Sequence, residues 1–320
     1  SNIEVYFFRS KYRGGKTMKK LLAFILAAVM TASLCACGSS NSGSEGSTSA
    51  KGSSAAGKPV AASDVKVGCI MIGDENEGYT EAHLKAVEEM KKNLGLTDDQ
   101  VVIKTNIKED EGCYDAAVDL AEQGCNIIIA NSFGHESYIL QAAADYPDVQ
   151  FCHATGYQAK SSGLANMHNF FTNVYESRYL SGVVAGMKLN EMIQKGEVTK
   201  DKCKIGYVGA FPYAEDISGF TSFYLGVKSV CDSATMEVKY TNSWASFDLE
   251  KECAEQLIAD GCVLISQHAD TTGAPTACEA KKVPCVGYNI DMIPTAPDAA
   301  LTSATINWGP YYTYAVQSVI

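Results

Sequence analysis

The sequence lacks the short signatures that would mark an enzyme. It has no Gly-x-Ser-x-Gly turn, no His-Glu-x-x-His pair and no Gly-x-Gly-x-x-Gly after a strand-like run. Their absence removes the usual cues for serine hydrolases, zinc peptidases and dinucleotide binders. His135-Glu136 begins a metal pair but has no second histidine. The twelve cysteines include no Cys-x-x-Cys pair and no Cys/His spacing suited to zinc. Positive charge is also short, with 26 Lys and Arg against 37 Asp and Glu, a net charge of −11. So acidic a chain is a poor partner for nucleic acid or anionic lipid, while small-ligand chemistry stays open. Past one short stretch near the N-terminus, no apolar run reaches the length of a membrane-spanning helix.

That short stretch is informative. Met18-Lys19-Lys20 precedes an apolar segment, Leu21 to Met30, and then Leu34-Cys35-Ala36-Cys37-Gly38. A positive start, a short apolar core and a small-residue cut followed by cysteine resemble a bacterial lipobox. Cys37 is the expected lipid-attachment residue, because a cut before Cys35 would put Leu34 at the small-residue position. A plain secretory signal with an incidental cysteine is the alternative. Met18 is the natural start, so residues 1–17 read as an upstream extension and are set aside from fold reasoning. Residues 1–36 are then extension plus signal peptide, and removing them leaves 20 basic against 36 acidic residues. Residues 37–63 are dominated by Ser, Gly, Ala and Lys and read as a flexible tether. Gly52-Ser53-Ser54-Ala55-Ala56-Gly57-Lys58-Pro59 nearly spells a phosphate loop, but Pro59 stands where Ser or Thr is required and no strand precedes it. The expected location is the extracytoplasmic face of the cell membrane, lipid-anchored.

The body, about Asp64 to Ile320, alternates apolar runs with amphipathic segments. Strands are expected at 65–72, 101–105, 126–130, 149–153, 167–171, 204–209, 236–240, 262–266, 283–287 and 301–306. Between them lie helical periods, such as Ala82, Ala86, Met90 and Leu94. Alternation of this kind implies parallel sheets with right-handed crossovers. Cys69, Cys152, Cys262 and Cys285 fall in the apolar runs and read as buried free thiols, with disulfides left open. An internal echo pairs Leu120-Ala121-Glu122-Gln123-Gly124-Cys125 with Leu257-Ile258-Ala259-Asp260-Gly261-Cys262, each a helix end, a glycine cap and a strand. Two similar lobes follow: 64–170 with 292–320, and 171–291. Residues 288–297 are expected as the second hinge, Leu301–Ile320 as a strand and helix returning to the first lobe, and the C-terminus as truncated.

Ligands gather at the carboxyl ends of strands in such lobes, so the loops there hold the candidates. They carry Asn76 and Tyr79, then Ser132, Phe133 and Gly134, then Phe211, Trp244, His268 and Asp270, and finally Asn289, Asp291 and Trp308. Rings would stack on a flat heteroaromatic guest while amides and carboxylates read its edge; a sugar would use similar residues. Each aromatic has core packing as its alternative, His268 a structural role, and Asp270 a helix N-cap. Asp74, Glu75 and Glu77 read as a solvated acidic loop. No metal site, cofactor or catalytic set is expected.

At these loops the chain resembles the basic membrane protein family of ABC-transporter substrate-binding lipoproteins, which includes purine nucleoside receptors. The resemblance rests on Ser132-Phe133-Gly134, Tyr146-Pro147-Asp148-Val149-Gln150-Phe151 and His153-Ala154-Thr155-Gly156-Tyr157. It continues through Arg178-Tyr179-Leu180-Ser181-Gly182-Val183-Val184-Ala185-Gly186-Met187, Lys204-Ile205-Gly206-Tyr207-Val208-Gly209 and Gln267-His268-Ala269-Asp270. Gly287-Tyr288-Asn289, Asp291-Met292 and Trp308-Gly309-Pro310-Tyr311-Tyr312 complete it. It implies an α/β, type I periplasmic-binding-protein fold: two doubly wound parallel-sheet lobes, a hinge and an interlobe cleft. It also implies a purine base or nucleoside as ligand, an ABC permease as partner, and Tyr79 as the ring that stacks on the base. Asn289 stands near a ligand-reading carboxylate of the nucleoside receptors, and Trp308 near their ribose-side lysine; both departures favour a free base. The rival readings are a nucleoside-processing hydrolase on the same surface and a signalling or adhesion lipoprotein with a vestigial cleft.

Overall fold

The computed structural model describes Ile3–Phe7 and residues 59–320. Cys37 and the tether as far as residue 58 lie outside the described residues; at its end Val60 donates its amide to the Val319 carbonyl. In chain order the strands are β1 (Ile3–Phe7), β2 (Val67–Ile70), β3 (Val101–Lys104), β4 (Ile127–Ala130), β5 (Gln150–Ala154) and β6 (Met167–Phe170). They continue as β7 (Lys204–Gly209), β8 (Thr235–Tyr240), β9 (Leu264–Gln267), β10 (Cys285–Asn289) and β11 (Ala300–Thr305). The helices are α1 (Gly78–Leu94), α2 (Glu111–Glu122), α3 (Glu136–Asp145), α4 (Ala159–Ser162), α5 (Val174–Gln194), α6 (Ala214–Val230), α7 (Phe247–Ala259), α8 (Gly273–Lys281) and α9 (Gly309–Gln317).

Two parallel sheets result, ordered β3-β2-β4-β5-β6 and β1-β8-β7-β9-β10-β11. The central strands of the first sheet, β2 and β4, are apolar throughout because both faces are covered. In the first sheet, Val67, Cys69, Ile127 and Ile129 pack under Ala82, Ala86 and Met90 of α1. Ile70, Ile128 and Ala130 face Cys113, Leu120 and Ile139 on the other side. The second sheet is sandwiched likewise, Ile205 and Val238 against Phe223 and Val227, and Val208 and Ile265 against Cys253 and Leu257. The internal echo is structural: Gly124 and Gly261 have φ of 87° and 90° and end α2 and α7 before β4 and β9. All ten described cysteines are buried free thiols.

Three points depart from the sequence reading. Ile3–Phe7, set aside there, pairs in parallel with β8. The strand at 300–305 does not return to the first lobe but pairs with β10 in the second sheet, as strands joined by a short connection commonly do. The second passage between lobes is therefore at 306–308, just before α9, and not at 288–297. From there α9 packs Tyr312, Ala315 and Val316 into the first lobe's core beside α1.

Candidate functional site

The ends of the strands converge on one hollow between the lobes. Ile72, Tyr79, Ser132, Phe133 and Thr155 line it from the first lobe, and Glu215, Trp244, His268, Asp270 and Tyr288 from the second. Its empty space is about 370 Å³ counting the open mouth, of which only about 30 Å³ lies a full water radius clear of every atom.

Each wall has a local cause. Tyr79 sits in the first turn of α1, whose N-cap Glu77 accepts hydrogen bonds from the Tyr79 and Thr80 amides. The Tyr79 hydroxyl donates to the Asn131 carbonyl, and its ring meets His83 edge-on at 4.6 Å. The Phe133 loop is clamped from below: Ser132 Oγ and the Gly134 amide both donate to Glu109 Oε1, at 2.6 and 2.7 Å. His153 Nε2 donates to the Ser132 carbonyl at 2.6 Å. Across the gap, Phe133 faces Tyr213 and Trp244 at 5.7 and 6.3 Å between ring centres. Phe211 stacks on Tyr213 at 5.1 Å and backs Trp244 at 4.9 Å. Offset and edge contacts of this kind add about 0.5–1.5 kcal/mol each beyond burial.

The polar floor hangs on Arg178, fully buried on α5. Its guanidinium lies 3.8 Å from the Tyr288 ring centre, donates to the Gln267 carbonyl at 2.7 Å and meets His268 Nδ1 at 3.1 Å. An arginine only donates, so Nδ1 accepts and the ring proton sits on Nε2, which faces Glu215 Oε1 at 3.3 Å. Asp216, fully buried, accepts from the Phe211 amide at 2.7 Å and lies 3.5 Å from His268 Nδ1; burial pushes its carboxyl up. Asp270 accepts from Asn289 Nδ2 at 2.7 Å. Burial, then the facing charges of Glu77, Glu250 and Glu215, hold the Asp270 carboxyl well above the usual carboxylate range. Among the described residues no group of three or more His, Cys, Asp or Glu could hold a metal ion.

Of the residues expected from sequence, Tyr79, Ser132, Phe133, Trp244, His268 and Asp270 share this hollow. The others lie elsewhere. Asn76 is exposed and donates to Asp74, closing its own turn. Gly134 contributes an amide to Glu109, and Phe211 stands behind Trp244. Asn289 is a buried support for Asp270. Asp291 is exposed and borders a separate, roomier hollow, about 640 Å³ counting its open mouth, between α1 and the ends of β10 and β11. Trp308 is core, stacked on His83 at 4.4 Å. Asp270 is not a helix cap, since α8 begins after Thr272. Glu77 is a half-buried cap whose carboxylate accepts the Tyr79 and Thr80 amides, and is not part of a solvated loop. Ile72, Thr155, Glu215 and Tyr288 were not anticipated. Thr155 and Tyr288 lie inside motifs quoted above, and Glu215 stands four residues past Phe211, in the first turn of α6.

The match to known proteins covers this whole region. Residues 65–320 fit the family of PnrA-like ABC transporter substrate-binding proteins. The chain belongs to that family. A purine-binding protein of Brucella abortus is 33% identical over 257 residues, 80% of this chain and 69% of that one. A putative ABC transporter glucose-binding protein of Haloferax volcanii is 33% identical over 199 residues, 62% of this chain and 47% of the relative. Among solved structures, an ABC transporter solute-binding protein of Aeropyrum pernix superposes with a TM-score of 0.67 at 16% identity, covering 80% and 70% of the two chains. One from Conexibacter woesei gives 0.59 at 21%, covering 80% of each. This substrate-binding protein thus has the two-lobed architecture of periplasmic binding proteins, with its aromatic hollow at the junction.

Proposed function

We propose that this chain is a lipid-anchored, extracytoplasmic receptor that captures a purine base or nucleoside and presents it to an ABC permease. The observation that carries the reading is the shared hollow, where Phe133 from one lobe faces Trp244 and Tyr213 from the other beside Asp270 and Glu215. Ring faces offer stacking and the carboxyl groups offer edge recognition, the pairing a planar heterocycle needs. The purine-binding relative supports that choice. With so little clear space between the rings, a base enters only as the lobes part or the rings swing. Its contacts to both lobes are then complete only on closure, which shifts the hinge equilibrium toward the closed form. Nothing in this cycle calls for covalent chemistry.

A thermal-shift screen over purine bases, nucleosides, flavins and sugars tests the reading. A ligand at 100 times its Kd adds about 2.7 kcal/mol of stability. Purines should raise the melting temperature and sugars should not. A shift with sugars alone would move the chain toward the chemistry named for its Haloferax relative, and no shift with any class would favour a vestigial cleft. Release of free base from a nucleoside would favour the hydrolase.

A further inference from the structure

Asp270 is 8% exposed, and what it exposes borders the hollow. One carboxyl oxygen accepts from Asn289 Nδ2; the other has no protein partner among the described residues. The elements packed around it bring carboxyl groups from three directions: Glu77 from the start of α1, Glu215 from the first turn of α6 and Glu250 from α7. Tyr79 and Tyr288 also face it. His268 lies two residues away and is held between Arg178 and Glu215. No lysine or arginine is paired with Asp270 among the described residues; Arg178, the nearby cation, is spent on the Gln267 carbonyl, His268 and the Tyr288 face. An isolated carboxylate buried among other carboxyl groups is strongly disfavoured and takes up a proton instead. A carboxylic acid kept neutral in this way becomes a hydrogen-bond donor.

Taking the hollow as the ligand site, we infer that Asp270 meets the guest as a carboxylic acid whose O–H donates. The site therefore selects a neutral heterocycle with an unprotonated ring nitrogen and releases it as the medium turns alkaline. Asn289 holds the carbonyl oxygen, so the O–H is left pointing at the guest. Anions are refused by Glu77, Glu215 and Glu250, and an organic cation would require the ionised form.

Calorimetric titration of the full chain with adenine and hypoxanthine, from mildly acid to mildly alkaline pH, tests this beside Asp270→Asn and Asp270→Ala. Affinity of the unaltered protein should fall as pH rises, by up to about tenfold per pH unit once the carboxyl ionises. Asp270→Asn keeps a donor and should bind within a few-fold, with a flattened pH profile; Asp270→Ala should bind at least about tenfold more weakly. Affinity that rises with pH, or Asp270→Asn behaving like Asp270→Ala, would overturn the inference and leave heterocycle binding intact. Failure of both bases at every pH would instead strike the proposed function. Infrared difference spectra then decide the inference independently of ligand. A protonated-carboxyl band at neutral pH that disappears in Asp270→Asn supports it, and its absence overturns it.

Discussion

Tyr79 shows how one residue serves two structures. From sequence it reads as a ligand platform, with core packing as its alternative. It is in fact 8% exposed, joined to Asn131 by its hydroxyl and set edge-on against His83. Tyr79→Ala should therefore cost about 3–5 kcal/mol of stability in addition to weakening binding. Tyr79→Phe removes only the hydroxyl and should cost about 1 kcal/mol; urea denaturation separates the two. Buried titratable groups add a pH dependence. Burial raises Glu250 from 4.5 to about 7, so the unfolded chain ionises it first. Its contribution is complete below about pH 4.5 and is lost as pH rises through 7. Glu250→Gln should flatten that loss in urea midpoints measured across the range. Burial lowers His83 from 6.5 to about 3 and His153 from 6.5 to about 4. Their contribution is complete above about 6.5 and is lost as pH falls toward those values. At this scale the sequence displayed which residue types reach the cleft, but not which of them also anchor the core. Trp308 and Phe133 are both aromatics at strand ends. Only the neighbouring His83, supplied by the distant α1, and Phe170, set edge-on at 5.8 Å from the end of β6, make the first one interior.

The elements themselves were far more legible. The ten runs read between amphipathic segments are the ten strands from β2 to β11; central ones such as Ile127–Ala130 are unbroken apolar stretches because both faces are covered, whereas Met167–Phe170 and Ala300–Thr305 carry polar residues and stay partly exposed. What the local pattern does not carry is partnership. Ala300–Thr305 reads as a strand in any sheet, and its pairing with Cys285–Asn289 is a long-range fact. The packing of α5 on α6 is similar. Gly182 and Gly186 are visible one turn apart, but their partner is not. A Cβ at Gly182 would lie 2.0 Å from the Phe223 carbonyl oxygen, and one at Gly226 would lie 2.1 Å from the Tyr179 carbonyl oxygen. The two backbones touch there, and no side chain fits without separating the helices. Gly226→Ala should destabilise the protein by about 1–3 kcal/mol or more, read as a lower urea midpoint. Because α5 also carries Arg178, the same variant should loosen the floor under His268, visible as a changed chemical shift of that imidazole.

At the scale of the whole molecule, the chain leaves the first sheet after β6, builds the second, and returns at 306–308 to end on α9 in the first lobe's core. Its two passages leave the lobes facing each other across the strand ends, which is where doubly wound sheets place ligands. Lobe closure should make the ligand-bound form more compact, with a smaller radius of gyration by X-ray scattering. The central claim is that opposed rings in this gap grip a planar base. Equilibrium dialysis of adenine and hypoxanthine against the intact chain and Trp244→Ala tests it most directly. Stacking on an aromatic side chain is worth about 1–3 kcal/mol per base. The account predicts one base bound per chain, and binding roughly tenfold weaker in the variant, whose half-buried position should leave the fold intact. Equal binding by both proteins, or none by either, would contradict it.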